Sequence, residues 1–262
     1  MERKYQGIDT AAKITAQAAR ILKQEGFSFV ARYLVPNSGS LAWKALTAAE
    51  AKIIRDAGLA IMFCWETTAS RVKGGEAAGA EDGARARKLA EEMGVPAGAT
   101  IYFAADYNVP ADDYNAVDRY LAAAMLNSSP YAVGLYGHEK LVNAMKERYD
   151  LRYWQCVAWS NQFSDAAGVI QYGWQGCAEA KAVEAKVGFA VDLDAAASLD
   201  GMWLPEVIGT KPDVELEDAH KWCVSMGITD DTMRDVSQTE LMFYRYHRLN
   251  APEDDWSIGT KG

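Results

Sequence analysis

The sequence lacks any long hydrophobic run. Its longest, LAIMFCW, begins at Leu59 and ends at Trp65. A membrane-spanning helix needs about 20 consecutive apolar residues, so we expect no such helix. The opening residues, MERKYQGIDT, also lack the apolar segment of a secretory signal, so we expect no signal peptide, and any work outside the cell then needs another exit route.

Positive charge and metal-binding residue types are also scarce. Lys and Arg number 27 against 36 Asp and Glu, a formal net charge of -9. Proteins that bind nucleic acids or anionic membranes use an excess of cationic surface, so we expect neither as a partner. The four cysteines are far apart, without a CxxC pair or a histidine that completes a zinc pattern, which excludes the usual zinc sites. We expect buried thiols, no metal and no cofactor.

What the chain has is a regular alternation of strand-like and helix-like segments. Helix-like segments lie at 11–25, 47–57, 79–93, 111–126 and 138–148, and eight strand-like runs lie at GID near Ile8, 27–34, 59–66, 100–107, 131–137, 153–159, 169–175 and 189–194. Such alternation is typical of βα units around a parallel sheet. After Trp159 the connections shorten, so we expect the final strands to be partly antiparallel. The predicted fold is an α/β, TIM-like barrel with about five helices, of the (β/α)5β3 type.

The sequence changes character after the barrel. GTKPD, beginning at Gly209, is a turn-rich linker, and 215–226 and 237–249 have the pattern of short amphipathic helices. We predict a barrel domain over 1–208 and a helical appendage over 209–262. Because roughly 40 residues rarely fold alone, we expect the appendage to dock on the barrel or to form a homo-oligomer.

Acidic residues recur at the predicted strand ends. Asp9 ends the first strand, Glu66 the third and Asp106 the fourth, while Asp192 lies late in the eighth. The functional rim of a βα barrel is built from these ends, so four strands can bring carboxylates to one cleft. Crowded carboxylates raise one another's pKa, which allows one to act as an acid while another stays ionised. This arrangement favours cleavage of a glycosidic bond.

Further side chains at these ends are candidates for substrate binding. The aromatic ones, which can stack on sugar rings, are Tyr33, Trp65, Tyr107, Tyr136, Trp159 and Trp174, and the polar ones are Arg32, Gln171 and Asp194. Each has a structural alternative: large rings commonly pack in barrel cores, and Arg32 can belong to an ordinary ion pair. His138 is a candidate proton carrier, with a capping or surface role as the alternative. The glycine-rich run VKGGEAAGAEDG lacks the ending of a phosphate-binding loop and is interpreted as a mobile loop at the rim.

Several motifs together resemble a known family. GIDT at 7–10, ARYL at 31–34, LTAAEAKIIRDAGLAIMFCWE at 46–66, IYFAADY at 101–107 and FAVDLD at 189–194 are similar to the bacterial glycoside-hydrolase-like barrel domain related to family 25 lysozymes. The resemblance covers about residues 5–205. It implies cleavage of peptidoglycan between N-acetylmuramic acid and N-acetylglucosamine, with Asp9, Asp106 and Asp192 at the positions of family acids. One departure is clear: the family's fourth-strand Asp-x-Glu pair is replaced by Ala104 and Asp106, and Glu66 is a candidate replacement for the missing carboxylate.

The tail also resembles other proteins. VELEDAHKWCVSMGITDD and SQTELMFYRYHRL are similar to helices of surface-layer-homology modules and to tails of phage and bacterial endolysins. This implies attachment to the cell wall or dimerisation, and release in the manner of a phage lysin. The alternative is a helical cap on the barrel.

Three functions are therefore considered. The first is a lysozyme-like muramidase that uses Asp106 as its general acid, with peptidoglycan glycan strands as its partner. The second, motivated by Ala104, is a barrel that binds cell-wall glycan without cleaving it. The third is a deacetylase-like metalloenzyme that uses an aspartate and His138.

Overall fold

The computed structural model describes residues 2–205. The predicted tail, 209–262, and its expected roles in wall attachment or dimerisation therefore lie outside the described residues. In the described part, no helix combines the length and apolar character needed to cross a membrane.

Within residues 2–205, eight strands close into one barrel in chain order. They are β1 (Tyr5–Asp9), β2 (Phe29–Tyr33), β3 (Ala60–Trp65), β4 (Thr100–Ala104), β5 (Ala132–Gly137), β6 (Arg152–Cys156), β7 (Ala167–Gly173) and β8 (Asp192–Ala196). Neighbours from β1 to β7 are parallel. β8 is antiparallel to both β7 and β1. The α/β barrel predicted from the sequence is confirmed, as is its partly antiparallel end.

The same residues contain six α-helices, one more than expected. They are α1 (Ala16–Gln24), α2 (Ala48–Asp56), α3 (Gly75–Met93), α4 (Tyr114–Ser128), α5 (Glu139–Lys146) and α6 (Ala178–Val187). Short 3-10 turns lie at Gly39–Leu41, Arg71–Gly74 and Ala111–Asp113. The unpredicted helix α6 lies in the short link before β8, and both of its ends are capped: the Cys177 thiol accepts from the Ala180 amide, and Gly188 adopts a left-handed φ of 85°.

The alternation of side chains along each strand separates two cores. One face points into the barrel, where Phe29, Met62 and Trp154 pack together. The other face points outward to the helices, where residues such as Val30 and Phe63 are buried. Because direction alternates with every residue in a strand, this pattern decides which predicted side chains can reach the barrel mouth.

The glycine-rich run after β3 is helical rather than a loop, which corrects its interpretation as a mobile rim segment. It contributes the turn Arg71–Gly74 and the first turns of α3. A Cβ atom on Gly79 would lie 2.1 Å from the Tyr120 carbonyl oxygen, and one on Gly83 would lie 2.7 Å from that of Ala124. The glycines therefore allow α3 to approach the backbone of α4 closely.

Candidate active site

An acidic pocket of about 230 Å³ opens at the barrel mouth. Four carboxyl groups line it, those of Asp9, Glu66, Asp106 and Asp192. Asp9 ends β1 and pairs directly with Asp192 of β8, while the other two follow β3 and β4. The structure thus brings together the four acids that the sequence placed at the strand ends. Their catalytic roles stay a prediction.

Asp192 reaches the mouth by a different route from the one expected. The sequence placed it late in a strand over 189–194, whereas β8 begins at Asp192. Since β8 is antiparallel to its neighbours, its first residue lies at the end where β1 and β7 finish. Asp194, two residues further along, lies deeper in the barrel and is fully buried. It does not line the pocket, so our expectation that it contacts substrate is corrected.

Neutral donors hold the carboxylates on the β1–β8 side of the pocket. The Gln171 side-chain amide donates to Asp9 Oδ2 at 2.7 Å and to Asp192 Oδ2 at 3.2 Å. Gln171 is fixed in turn by the Tyr136 hydroxyl, which donates to its Oε1 at 2.9 Å. The backbone amide of Gln175 donates to Asp192 Oδ1. Gln171 therefore orients two acids, a more specific position than the sequence could assign to it.

Burial and mutual repulsion shift the proton affinities of these acids upward. Burial, followed by the charge of Asp192, raises the pKa of Asp9 to about 7. Burial raises the pKa of Asp106 as well, with smaller contributions from Glu66 and Asp192. Desolvation of the charged form is the main cause in both cases. The pocket can therefore hold a carboxylic acid beside a carboxylate, which general acid catalysis requires.

Glu66 is engaged by a cation that the sequence analysis did not single out. Lys44 Nζ lies 3.2 Å from Glu66 Oε2 and 4.3 Å from the centre of the Tyr33 ring. Lys44 lies on the segment after β2, where no motif or periodicity marks it. To replace the carboxylate missing at Ala104, Glu66 would have to act from within this ion pair.

The predicted aromatic residues divide into three groups. Tyr33, Tyr136 and Trp174 line the acidic pocket, and the Trp174 side chain is 61% exposed. Trp159 is partly exposed beside the lining residue Ala158, with an unusual φ of 58°. Tyr107 lies outside the lining, and its hydroxyl donates to Asp113 Oδ2 at 3.0 Å.

The position of Trp65 contradicts the expectation that it binds substrate. It is buried on the outer face of β3, with its ring centre 6.4 Å from that of Phe103. Its neighbour Cys64 points into the barrel instead. Because alternate side chains of a strand point to opposite faces, Trp65 cannot stack on a sugar in the pocket.

The position of Arg32 also contradicts the expectation that it binds substrate. Its side chain is fully buried, with Nε donating to Glu50 Oε1 at 2.7 Å and Nη1 to the Thr10 carbonyl at 2.6 Å. Like Trp65, it sits on the outward face of its strand, where it joins β2 to α2. The ion-pair alternative therefore describes Arg32, and a direct contact with substrate does not.

His138 caps the start of α5. Its Nδ1 accepts from the Leu141 amide at 3.4 Å, and its Nε2 lies 3.1 Å from the Val109 carbonyl, to which it donates in the matching tautomer. With both ring nitrogens in use, His138 is not available to the pocket as a metal ligand. No cluster of potential metal ligands occurs among the described residues. The deacetylase hypothesis loses its proposed histidine.

A second cavity, which we call the side pocket, adjoins the acidic pocket. Its volume is about 450 Å³, and it shares Asp9, Tyr33 and Asp192 with the acidic pocket. Trp43, whose side chain is 64% exposed, forms part of its wall. The segment carrying Trp43 is tied back to β2, where Leu46 N donates to the Tyr33 carbonyl at 2.9 Å. No sequence pattern identifies Trp43 as a candidate, because this residue lies in an irregular segment away from any strand end.

Comparisons with known proteins agree with this architecture. A family profile described as "Rv2525c-like, glycoside hydrolase-like domain" matches residues 20–196. The uncharacterized protein YbfG of Bacillus subtilis (strain 168) is 30% identical over 179 residues, which is 61% of this chain and 24% of that protein. The chain thus spans about a quarter of the length of this relative.

Two solved structures share the fold. One is the Mycobacterium tuberculosis Tat-secreted protein Rv2525c in complex with L-tartrate, with a TM-score of 0.63 and 23% identity over 76% of this chain and 98% of that one. The other is an uncharacterized B. stearothermophilus protein, with a TM-score of 0.53 and 21% identity over 76% of this chain and 100% of that one.

Proposed function

The chain belongs to the Rv2525c-like glycoside hydrolase-like domain family, and from that premise we propose that it cleaves peptidoglycan glycan between N-acetylmuramic acid and N-acetylglucosamine. The observation that carries this proposal is the acidic pocket, where carboxyl groups with raised pKa lie beside an exposed indole. Glycosidic cleavage needs one protonated and one ionised carboxyl at the same bond.

In the proposed mechanism, Asp106 is the general acid. Its raised pKa favours the protonated form that can donate to the leaving glycosidic oxygen. Asp9 and Asp192, held side by side by Gln171, face the other side of the reacting sugar and stabilise the positive charge that develops there. Alternatively, one of them attacks the anomeric carbon or positions the N-acetyl group of the substrate for an internal attack. In each case water, deprotonated by Asp106 after it has given up its proton, then adds to the anomeric carbon and completes the hydrolysis.

The two adjoining pockets suit a polymer better than a single sugar. They share a wall formed by Asp9, Tyr33 and Asp192, with Trp43 exposed in one pocket and Trp174 in the other. Large aromatic faces bind apolar ring surfaces while leaving hydroxyl groups hydrated. We assign one saccharide unit to each pocket, so that the bond between neighbouring units lies at the acids.

The experiment is digestion of purified peptidoglycan, followed by assay of new reducing ends and mass spectrometry of the fragments. We expect the wild-type chain to release muramic-acid-terminated fragments and Asp106→Asn to lower the rate about 100-fold or more, the range of a lost general acid. Asp112→Asn is the matched control, since Asp112 is exposed on the nearby 3-10 turn and lines neither pocket. Equal rates for wild type and Asp106→Asn would remove Asp106 from the role.

A specific observation favours the second candidate, a glycan-binding barrel without hydrolytic activity. The pocket wall presents the methyl group of Ala104 where the related lysozymes carry an acid, and Glu66 is paired with Lys44. This candidate predicts that the wild-type chain sediments with insoluble peptidoglycan while no reducing ends appear. Sedimentation together with fragment release would reject it.

We further propose that the chain acts on the bacterial cell wall, because its proposed substrate lies outside the cytoplasmic membrane. The mycobacterial protein with the same fold is described as Tat-secreted, which supports action beyond that membrane. The route of export, including release of the phage-lysin kind, stays a prediction, as do attachment and self-association through 209–262.

A further inference from the structure

Below the acidic pocket, the carboxyl group of Asp194 lies inside the barrel without access to solvent. The Trp154 indole Nε1 donates to its Oδ1 at 2.8 Å. Its Oδ2 accepts no hydrogen bond from any amide, hydroxyl or cationic donor in the described residues. A buried carboxylate is strongly disfavoured in its ionised form when one of its oxygens accepts no hydrogen bond.

The neighbour of Asp194 is another acid. Asp194 pairs across the strands with Gly7, and Asp9, two residues along β1, points into the barrel on the same side. After burial, the negative charge of Asp9 is the largest cause that raises the pKa of Asp194. Carboxylates are acceptors only, so a hydrogen bond between two carboxyl groups requires a proton on one of them.

Within residues 2–205, no lysine or arginine side chain forms an ion pair with Asp9 or Asp194 that would allow both acids to ionise. The donors to the cluster are the Trp154 indole on β6 and the Gln171 amide on β7, both neutral. Asp192 on β8 adds a further negative charge, and Tyr172 on β7 adds no positive one. Like charges that share a buried site disfavour one another's ionisation, so we infer that the cluster is not fully ionised at neutral pH.

We propose that Asp194 is a positioning residue: it carries a proton at neutral pH and donates a hydrogen bond to the carboxyl group of Asp9. The cluster of Asp9, Asp192 and Asp194 thereby retains one proton beneath the pocket. Burial and the charge of Asp9 raise the pKa of Asp194 well above its ordinary value, and its unpartnered Oδ2 is the atom to which we assign the proton. The hydrogen bond from Asp194 orients the Asp9 side chain from the barrel interior, while Gln171 holds it from β7. This inference does not depend on the proposed hydrolysis, because it concerns the resting protein.

The experiment is infrared spectroscopy of the full chain labelled with ¹³C-carboxyl aspartate at pH 7. Wild type is expected to show the carbonyl stretch of protonated carboxylic acids, with a shift in ²H₂O. Asp194→Asn is expected to weaken this band by the contribution of one carboxyl group, because Asp9 and Asp106, whose pKa values are also raised, contribute to it as well. Asparagine retains an acceptor for Trp154 and a donor for Asp9, so this variant is expected to fold. Asp165→Asn is the matched control and should retain the band, because the ion pair with Lys146 lowers the pKa of exposed Asp165.

A band of undiminished intensity in Asp194→Asn, or the absence of the band from wild type, overturns the proposal. Should the variant not fold, carboxyl ¹³C NMR of the wild-type chain decides by itself. The Asp194 resonance is expected at the protonated position from pH 5 to pH 7. A resonance at the ionised position at pH 7 overturns the assignment, whatever the activity of the protein towards peptidoglycan.

Discussion

At the scale of single residues, exposure separates aromatic side chains that can meet a ligand from those that support the barrel. Trp174 follows the last residue of β7 and stands in the pocket wall, whereas Trp65 ends β3 and faces the helices. Trp43 is exposed although its segment is bonded back to β2. Trp is enriched among the residues that contribute most to binding at interfaces, so the two exposed indoles that line the pockets are candidate contacts for a ligand.

We predict that Trp174→Ala and Trp43→Ala each weaken binding to peptidoglycan about five- to tenfold. Loss of one stacked ring removes roughly 1 kcal/mol or slightly more, and 1.4 kcal/mol corresponds to about a tenfold change in Kd. Sedimentation with insoluble peptidoglycan, or titration with soluble glycan fragments, measures the change.

The control for this pair is Phe163→Ala. Phe163 is 50% exposed but belongs to neither pocket, so its removal should leave binding unchanged. An equal loss in all three variants would indicate non-specific hydrophobic adsorption instead of two saccharide sites.

At the scale of elements, the strands could be predicted because each is a short apolar run of fixed period. The direction of β8 could not be predicted from residues 189–194 alone, because alternation is the same in parallel and antiparallel strands. The antiparallel direction of β8 is nevertheless what places Asp192 opposite Asp9. The sequence thus predicted which acids reach the mouth, while their pairing depends on register, a property of two distant segments.

The misinterpreted helix α3 has a related cause. Glycine usually marks loops because it weakens helices by about 1 kcal/mol relative to alanine. In α3 the glycines instead form the contact surface with α4, where Asp82 accepts a hydrogen bond from Tyr120 Oη at 2.6 Å. Nothing local to the run indicates that a second helix lies against it.

We predict that Gly79→Ala destabilises the protein by about 1–3 kcal/mol, the usual range for overpacking. The added methyl group would overlap the Tyr120 carbonyl, and this strain outweighs the gain in helix propensity. Urea unfolding measures the loss. Gly168→Ala in β7 is the comparison, since a Cβ atom there meets nothing within 4 Å; a loss no larger than that of Gly168→Ala would show that α3 and α4 can separate freely.

At the scale of the whole molecule, the acidic pocket opposes folding at neutral pH. The folded protein places Asp9, Asp106 and Asp192 in a poorly solvated site, and the pKa of each is raised, mainly by burial. Unfolding returns them to water, where their charged forms are favoured. The barrel core must therefore supply the stability that this site removes, as is common at functional sites.

The last prediction concerns how this opposition depends on pH. Because the pKa of Asp9 is about 7 in the folded protein and 3.8 for an ordinary aspartate, the unfolded chain releases a proton between these values that the folded chain retains. Stability contributed by Asp9 is therefore present below about pH 4 and is lost as the pH rises towards 7. Asp9→Asn removes this dependence, so its unfolding free energy relative to wild type should increase from about pH 4 to about pH 7 and stay constant above that.

Urea unfolding of both proteins across that range measures the effect, and Asp165→Asn provides a control of opposite sign. The pKa of Asp165 is lowered by Lys146, so this aspartate stabilises the fold above its ordinary pKa and loses that contribution in acid. The Asp165→Asn variant should accordingly differ most from wild type at neutral pH, in the destabilising direction. The burial of Asp9 and its pairing with Asp192 are the reasons to expect a difference between the two proteins. Parallel stability curves for wild type and Asp9→Asn would contradict this prediction, because they would mean that Asp9 ionises as readily in the folded barrel as in water.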